Sequence, residues 1–153
     1  SRLIPTNIQS VYSSDLTRAV ETARIIRKAA NIKQRIVTSK KLREIDYGRA
    51  AGLNKKDARQ KYPLYKKSAA YVFPDGESYN DVQKRAMSFI WTMEHDGSDT
   101  ILIVTHAGCI RGILAALLGK SLDKKLRMKL RHRFLARLEI ENHSLIRHKL
   151  LHN

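Results

Sequence analysis

Cysteine is nearly absent: Cys109 is the only one in 153 residues. No intramolecular disulfide can form, and this usage suits a reducing compartment, so a cytoplasmic location is the expectation. No apolar stretch approaches the ~18 residues that a membrane span needs. The opening residues, SRLIPTN, carry neither an apolar core nor a signal-peptide cleavage site. Acidic side chains are scarce, with 14 Asp/Glu against 30 Lys/Arg, a net charge of +16 and a pI near 10.3. Such an excess predicts an anionic partner: nucleic acid, a membrane surface or a phosphorylated small molecule. Aromatics make up 7% of the chain. They form no stacking platform, and no RNA- or DNA-binding motif is present, so no nucleic-acid partner is expected.

What remains is a chain with 42% hydrophobic residues, long enough for one domain with a core and too apolar to be disordered. Its charge is uneven. Residues 1–76 carry 17 Lys/Arg against 6 Asp/Glu, and residues 77–153 carry 13 against 8. The dense basic block, KSLDKKLRMKLRHR (120–133), reads as a solvated helix face.

Strands are expected at IQSVY (8–12), RIVTS (35–39) and ILIVT (101–105); the last is a continuous apolar run of the kind buried on both faces of a parallel sheet. Helices are expected over 15–30, with Ser14 as N-cap and Asn31 as stop, over Ser78 to about His95, over 108–118 and over about 122–132. Ser78 with Asp81 forms a capping-box pattern. Residues 42–53 read as a loop, and 54–74 as a basic, Tyr-rich segment with one or two short helices. FLARLEI and LIRHKLL read as two strands joined by ENHS. Alternating strands and helices predict a layered α/β domain with a largely parallel sheet, and ligands of such sheets bind beyond the carboxyl ends of the strands. Ser13, Ser14 and Arg18 lie after the first strand, and His106 follows ILIVT.

Two motif-like stretches fail on geometry. GKS (119–121) would end a phosphate-binding P-loop, but position 114 is leucine where that loop needs glycine, and the stretch follows a helix rather than a strand. Cys109 and Arg111 have one residue between them, too few for a cysteine-phosphatase cradle, so Cys109 reads as a small packing residue. The six histidines show no metal-ligand spacing, and no cofactor is implied.

Four segments in order, VYSSDLTRAVETA (11–23), LREIDYGRAAGL (42–53), PDGESYNDVQKR (74–85) and ILIVTHAGCIR (101–111), resemble the motifs of the histidine phosphatase superfamily, the phosphoglycerate mutase-like family. The resemblance covers about residues 8–118. It implies a three-layer α/β/α sandwich with a mostly parallel central sheet, forming a single domain over 1–153 with 54–74 as a lid-like insertion. It assigns phosphate binding to Arg18 and His106, and makes Glu44 the general acid, with Asp46 as the neighbouring alternative. These residue types suit phosphoryl transfer, which asks mainly for positioning and for neutralisation of charge on the equatorial oxygens. Arg18 could otherwise be a surface residue paired with Glu21 or Asp15, and His106 a core histidine. Arg111, Glu77 and Ser78 read as structural, in capping or ion pairing.

One element of the family pattern is missing. Its nucleophile is a histidine in an Arg-His-Gly motif on an N-terminal strand, whereas the only Arg-His pairs here are Arg131-His132 and Arg147-His148, neither followed by glycine. The expectation is an N-terminally incomplete domain, without its first strand and inactive alone, whose nucleophile lies upstream. The resemblance implies a phosphomonoester hydrolase acting through a phosphohistidine. The alternatives are mutase-type phosphoryl transfer and a non-catalytic basic protein that binds anions or nucleic acid. The short span between Gly52 and Pro74 favours the phosphatase branch. Lys55, Lys56, Arg59, Lys61, Lys66 and Lys67 among Tyr62, Tyr65 and Tyr71 suggest a strongly anionic, even aromatic or multiply phosphorylated, substrate.

Overall fold

The computed structural model describes residues 4, 5, 7–65, 67–93, 95–131 and 134–152. Lys66, His132 and Arg133, named above, lie outside the described residues. The chain divides into two compact units: Ser1–Arg43, Ser88–His106 and Leu130–Asn153 form the first, and Glu44–Met87 with Ala107–Lys129 the second.

The first unit holds a parallel sheet of β1 (Ser10–Ser14), β2 (Ile36–Ser39) and β3 (Ile101–Val104), in the order β2-β1-β3. Tyr12 stands opposite Val37 on one side and Ile103 on the other. Because side chains alternate across a strand, Val11 and Leu102 share one face and Tyr12 turns to the other. Val11, Leu102 and Val104 pack with Ala19 and Ala23 of α1 (Thr17–Ala29), together with Ile8 and Ile32. On the opposite face Tyr12 meets Phe89 edge-on, ring centroids 5.3 Å apart; Phe89 lies in the second half of α3 (Tyr79–Met93). Helix, sheet and helix thus form the expected layers. Small residues at 19 and 23 let α1 lie close to the sheet.

The parallel ladder runs further than the sequence suggests. The first strand spans Ser10–Ser14 rather than 8–12, because Ser13 and Ser14 pair with Thr38 and Ser39. Helix α1 accordingly begins later than expected, with Leu16 at its N-cap position and no side-chain cap; the Ser14 hydroxyl instead accepts the Leu16 N–H at 3.3 Å. Asn31 does end the helix, at φ +55°, while the Ile32 N–H reaches back to the Arg27 carbonyl. Only alternate residues of β3, Leu102 and Val104, are buried, so its second face is half-covered. Among the described residues β3 makes a ladder only with β1. The antiparallel hairpin β4 (Leu135–Glu141) and β5 (Ser144–His152) turns at Asn142 and His143, both with positive φ.

The second unit contains α2 (Lys55–Lys61), the first half of α3, α4 (Ala107–Leu117) and α5 (Leu122–Lys125). Asn54 caps α2 through its side-chain oxygen, which accepts the N–H groups of Lys56 and Asp57. At the start of α3 the capping box is reciprocal: Asp81 N–H donates to Ser78 Oγ at 3.1 Å, and Ser78 N–H donates to Asp81 Oδ2 at 2.9 Å. Gly119, at φ +58°, follows α4 as a stop. The basic helix expected over 122–132 is a single turn. Leu122 and Leu126 are its buried anchors, while Leu130, next in the same spacing, is only half-buried. Phe73, 1% exposed, is surrounded by Tyr47, Tyr62, Tyr65 and Tyr71 at centroid distances of 5.1–6.1 Å.

Candidate active site

Strands β1, β2 and β3 run in parallel, so their carboxyl ends lie along one edge of the first unit's sheet, and Ser13 is paired with Val104 near that edge. Arg18 follows β1, as the second residue of α1, and is exposed. The first turn of α1 contains no acidic residue. Asp15 does not pair with Arg18; the Arg43 guanidinium takes it at 2.6 and 2.7 Å and holds its carboxyl below the usual range. His106 follows β3 after one residue, Thr105, and is 9% exposed. The preceding Thr105 hydroxyl donates to the Leu42 carbonyl at 2.7 Å, tying the exit of β3 to the 3-10 turn Lys40–Leu42 after β2. The sequence therefore placed Arg18 and His106 beyond the ends of two strands that the structure shows to be paired neighbours.

Glu44 opens the second unit, one residue after that segment. Its carboxylate sits on the first turn of α4. The Gly108 N–H donates to Oε1 at 3.0 Å and to Oε2 at 3.2 Å, and the Ile45 N–H donates to Oε1 at 3.0 Å. A negative group is favoured there by the free amides and the helix dipole. Asp46 serves the backbone instead. Its Oδ1 accepts the Gly48 N–H at 2.8 Å and shapes the turn, and the side chain is exposed.

Arg85 holds the loop that carries Glu44. Its Nη2 donates to Glu77 Oε1 at 2.7 Å and to the Glu44 carbonyl at 3.2 Å, while Nε donates to Glu77 Oε2 at 3.0 Å. Glu77 Oε1 also accepts the Asp46 N–H at 2.9 Å. Arg85 Nη1 lies 3.7 Å from Cys109 Sγ, and Cys109 is fully buried. Near Glu44, the Tyr47 and Tyr79 hydroxyls are 3.0 Å apart, and burial pushes the pKa values of both phenols up. Arg111 is structural, as read from the sequence: Nε and Nη2 donate to the Met128 carbonyl at 3.1 and 3.0 Å. Glu77 and Ser78 likewise serve ion pairing and capping. Sequence reasoning missed Arg85 and Gly108. Arg85 closes the PDGESYNDVQKR segment, and that adjacency was the one available signal.

Residues expected to read an aromatic substrate have another role. Tyr62 and Tyr65 are each 6% exposed and pack on Phe73. The lysines and arginine of α2 are exposed. Among the described residues no cluster of three metal-ligating side chains occurs, and no helix is long and apolar enough to cross a membrane.

The chain resembles known proteins along nearly its whole length. It is 32% identical over 122 residues to a 2,3-bisphosphoglycerate-dependent phosphoglycerate mutase of Bartonella bacilliformis, covering 74% of this chain and 59% of that protein. It is 28% identical over 124 residues to phosphoserine phosphatase 1 of Hydrogenobacter thermophilus, covering 77% and 58%. The chain thus spans about three-fifths of the length of these two relatives. Its fold matches the solved structure of Bacillus stearothermophilus YhfR with a TM-score of 0.80, at 28% identity over 94% of this chain and 74% of that one. The sequence profile of the histidine phosphatase superfamily, branch 1, matches residues 1–150. Four motifs in order, a parallel α/β sheet and a profile match across both units show that the chain belongs to the histidine phosphatase superfamily.

Proposed function

We propose that this chain supplies most of a phosphatase that hydrolyses phosphomonoesters through a phosphohistidine, with the nucleophilic histidine contributed from upstream of Ser1. The observation that carries the reading is the placement of Arg18 and His106 after the paired strands β1 and β3. A guanidinium in the first turn of a helix and an imidazole beyond the adjoining strand are groups that suit an oxyanion. In the reaction, histidine nitrogen attacks phosphorus, and the ester oxygen leaves with a proton from Glu44. Water then attacks the phosphohistidine, Glu44 takes up a proton, and phosphate and free histidine are released. Glu44 is chosen over Asp46 because Glu44 is half-buried, whereas Asp46 is exposed and its Oδ1 shapes the turn at Gly48.

The substrate is a small, strongly anionic phosphate ester. The exposed Lys55, Lys56, Arg59 and Lys61 of α2 and the net charge of +16 favour such a molecule and raise its encounter rate. The lone cysteine, buried in the second unit, suits a cytoplasmic enzyme. A mutase relative keeps transfer to a second phosphoester as the competing reaction, and product analysis with and without an acceptor separates the two.

The test uses the protein carrying its N-terminal histidine. Glu44→Gln removes the transferable proton and should lower the rate by roughly 10²–10⁴-fold for alkyl phosphates. In kcat/KM, which excludes the dephosphorylation step that Glu44 also assists, nitrophenyl phosphate, whose leaving oxygen hardly needs a proton, should be little affected. Arg18→Ala should slow both and weaken phosphate binding. An equal loss in kcat/KM for good and poor leaving groups in Glu44→Gln would show that Glu44 is not the acid.

A further inference from the structure

We infer that Gly108 is the positioning residue for Glu44: the absence of a side chain at 108 is what seats the Glu44 carboxylate on the first turn of α4. The inference deepens, and rests on, the reading of Glu44 as the acid. A Cβ built on Gly108 would lie 2.2 Å from Glu44 Oε1 and 3.3 Å from its carboxyl carbon. No real pair of atoms tolerates the shorter distance, so any other residue at 108 drives the carboxylate off the amide it now shares between both oxygens.

The obstacle is one-sided. The other atom near that Cβ, Tyr79 Cε1, is at 3.4 Å, an ordinary contact. The clash therefore falls on the end of a flexible glutamate side chain and not on backbone. Helix α4 itself gains from the change, since alanine is favoured over glycine in a helix by about 1 kcal/mol. Gly108 has no positive φ to explain the choice of glycine. The Glu44 main chain stays fixed from the other side, because Arg85 Nη2 holds its carbonyl and Glu77 holds the next amide but one. Gly108→Ala should then move the acid while leaving the fold and the loop in place.

The experiment compares Gly108→Ala, Glu44→Gln and the double variant in the protein carrying its N-terminal histidine. For alkyl phosphates, Gly108→Ala should lose about 10²-fold in kcat/KM, the scale set by a misplacement of about 1 Å. The kcat/KM for nitrophenyl phosphate and the thermal midpoint should hardly change. Adding Gly108→Ala to Glu44→Gln should cost nothing more, since the displaced group is already disabled. Losses that multiply, or that fall equally on both substrates, overturn the inference.

A second readout is independent of the chemistry. In proton–nitrogen NMR spectra the residue-108 amide should titrate with the Glu44 carboxyl. Glu44→Gln identifies that step against the other titratable groups of the second unit nearby, namely Cys109, Tyr47 and Tyr79, with Arg85 and Arg111 as fixed charges. The step should vanish in Gly108→Ala, and its persistence there overturns the inference. If Glu44→Gln shows no leaving-group dependence, the acid assignment fails by itself, and the amide titration still decides the seating.

Discussion

Phe73→Leu is a sharp test of how the second unit holds together. The Phe73 ring is 1% exposed, and four tyrosines approach it, three of them edge-on. An aromatic pair is worth about 0.5–1.5 kcal/mol beyond its buried area. Four pairs sharing one ring do not add fully, so leucine, which keeps most of the apolar bulk, should cost about 2 kcal/mol. Alanine also leaves a cavity, and should cost about 4–5 kcal/mol. With a urea dependence of about 2 kcal/mol per M, the midpoints should fall by about 1 M and 2 M. Because total stability is of order 5–15 kcal/mol, the alanine variant sits near the limit and leucine is the more informative change. Urea titrations followed by near-ultraviolet circular dichroism, where the ordered tyrosines dominate, give both midpoint and slope. An unchanged midpoint and slope in Phe73→Leu would refute the claim that ring contacts stabilise this unit.

Two further expectations follow from polar contacts. Arg85→Met removes a partner shared by Glu77 and the Glu44 carbonyl; at 21% and 22% side-chain exposure the ion pair is mostly desolvated, so the loss should be about 2–3 kcal/mol by urea unfolding, short of a fully buried pair. Burial raises the phenol pKa values of Tyr79 and Tyr47 above the ordinary value of 10.0, so the folded state keeps protons that the unfolded state loses. That stabilisation should be complete below about pH 10 and fall as pH rises above it, and Tyr79→Phe should flatten the decline seen in unfolding titrations between neutral and alkaline pH.

The sequence disclosed those parts of the site whose chemistry is local. The placement of Arg18 and His106 beyond two strands was legible because each follows an apolar run and adjoins a helix, and the Ser78–Asp81 box because three-residue spacing is itself the signal. The seat of Glu44 was not legible, since the amide that receives it lies 64 residues away and a glycine gives no hint of what fills the space beside it. Arg85 was hidden for the same reason: the carbonyl it holds is 41 residues earlier. In the fold, Ser13 and Ser14 read as turn residues, yet pairing with β2 drew them into the sheet. The basic stretch after Ser121 read as a helix over about 122–132, but among its described residues only Leu122 and Leu126 are buried. The tyrosines of 62–71 read as facing a substrate because lysines surround them, and only the position of Phe73 shows that they turn toward it instead.

The two compact units are interleaved along the chain: the first needs three separate segments and the second needs two. Neither unit can therefore be produced by cutting the sequence once. During synthesis the pairing of β1 with β3 must wait for about 90 residues, from Ser10 to Ile101, and the first unit is incomplete until residues after 130 emerge. Such long-range closure slows folding, because loop entropy is lost before the contacts that offset it form. A nascent chain stalled before β3 would lack Leu102 and Val104 from the core cluster that Val11 forms with α1. Libraries of truncations should consequently yield insoluble fragments, whereas changes of single residues leave the connectivity intact.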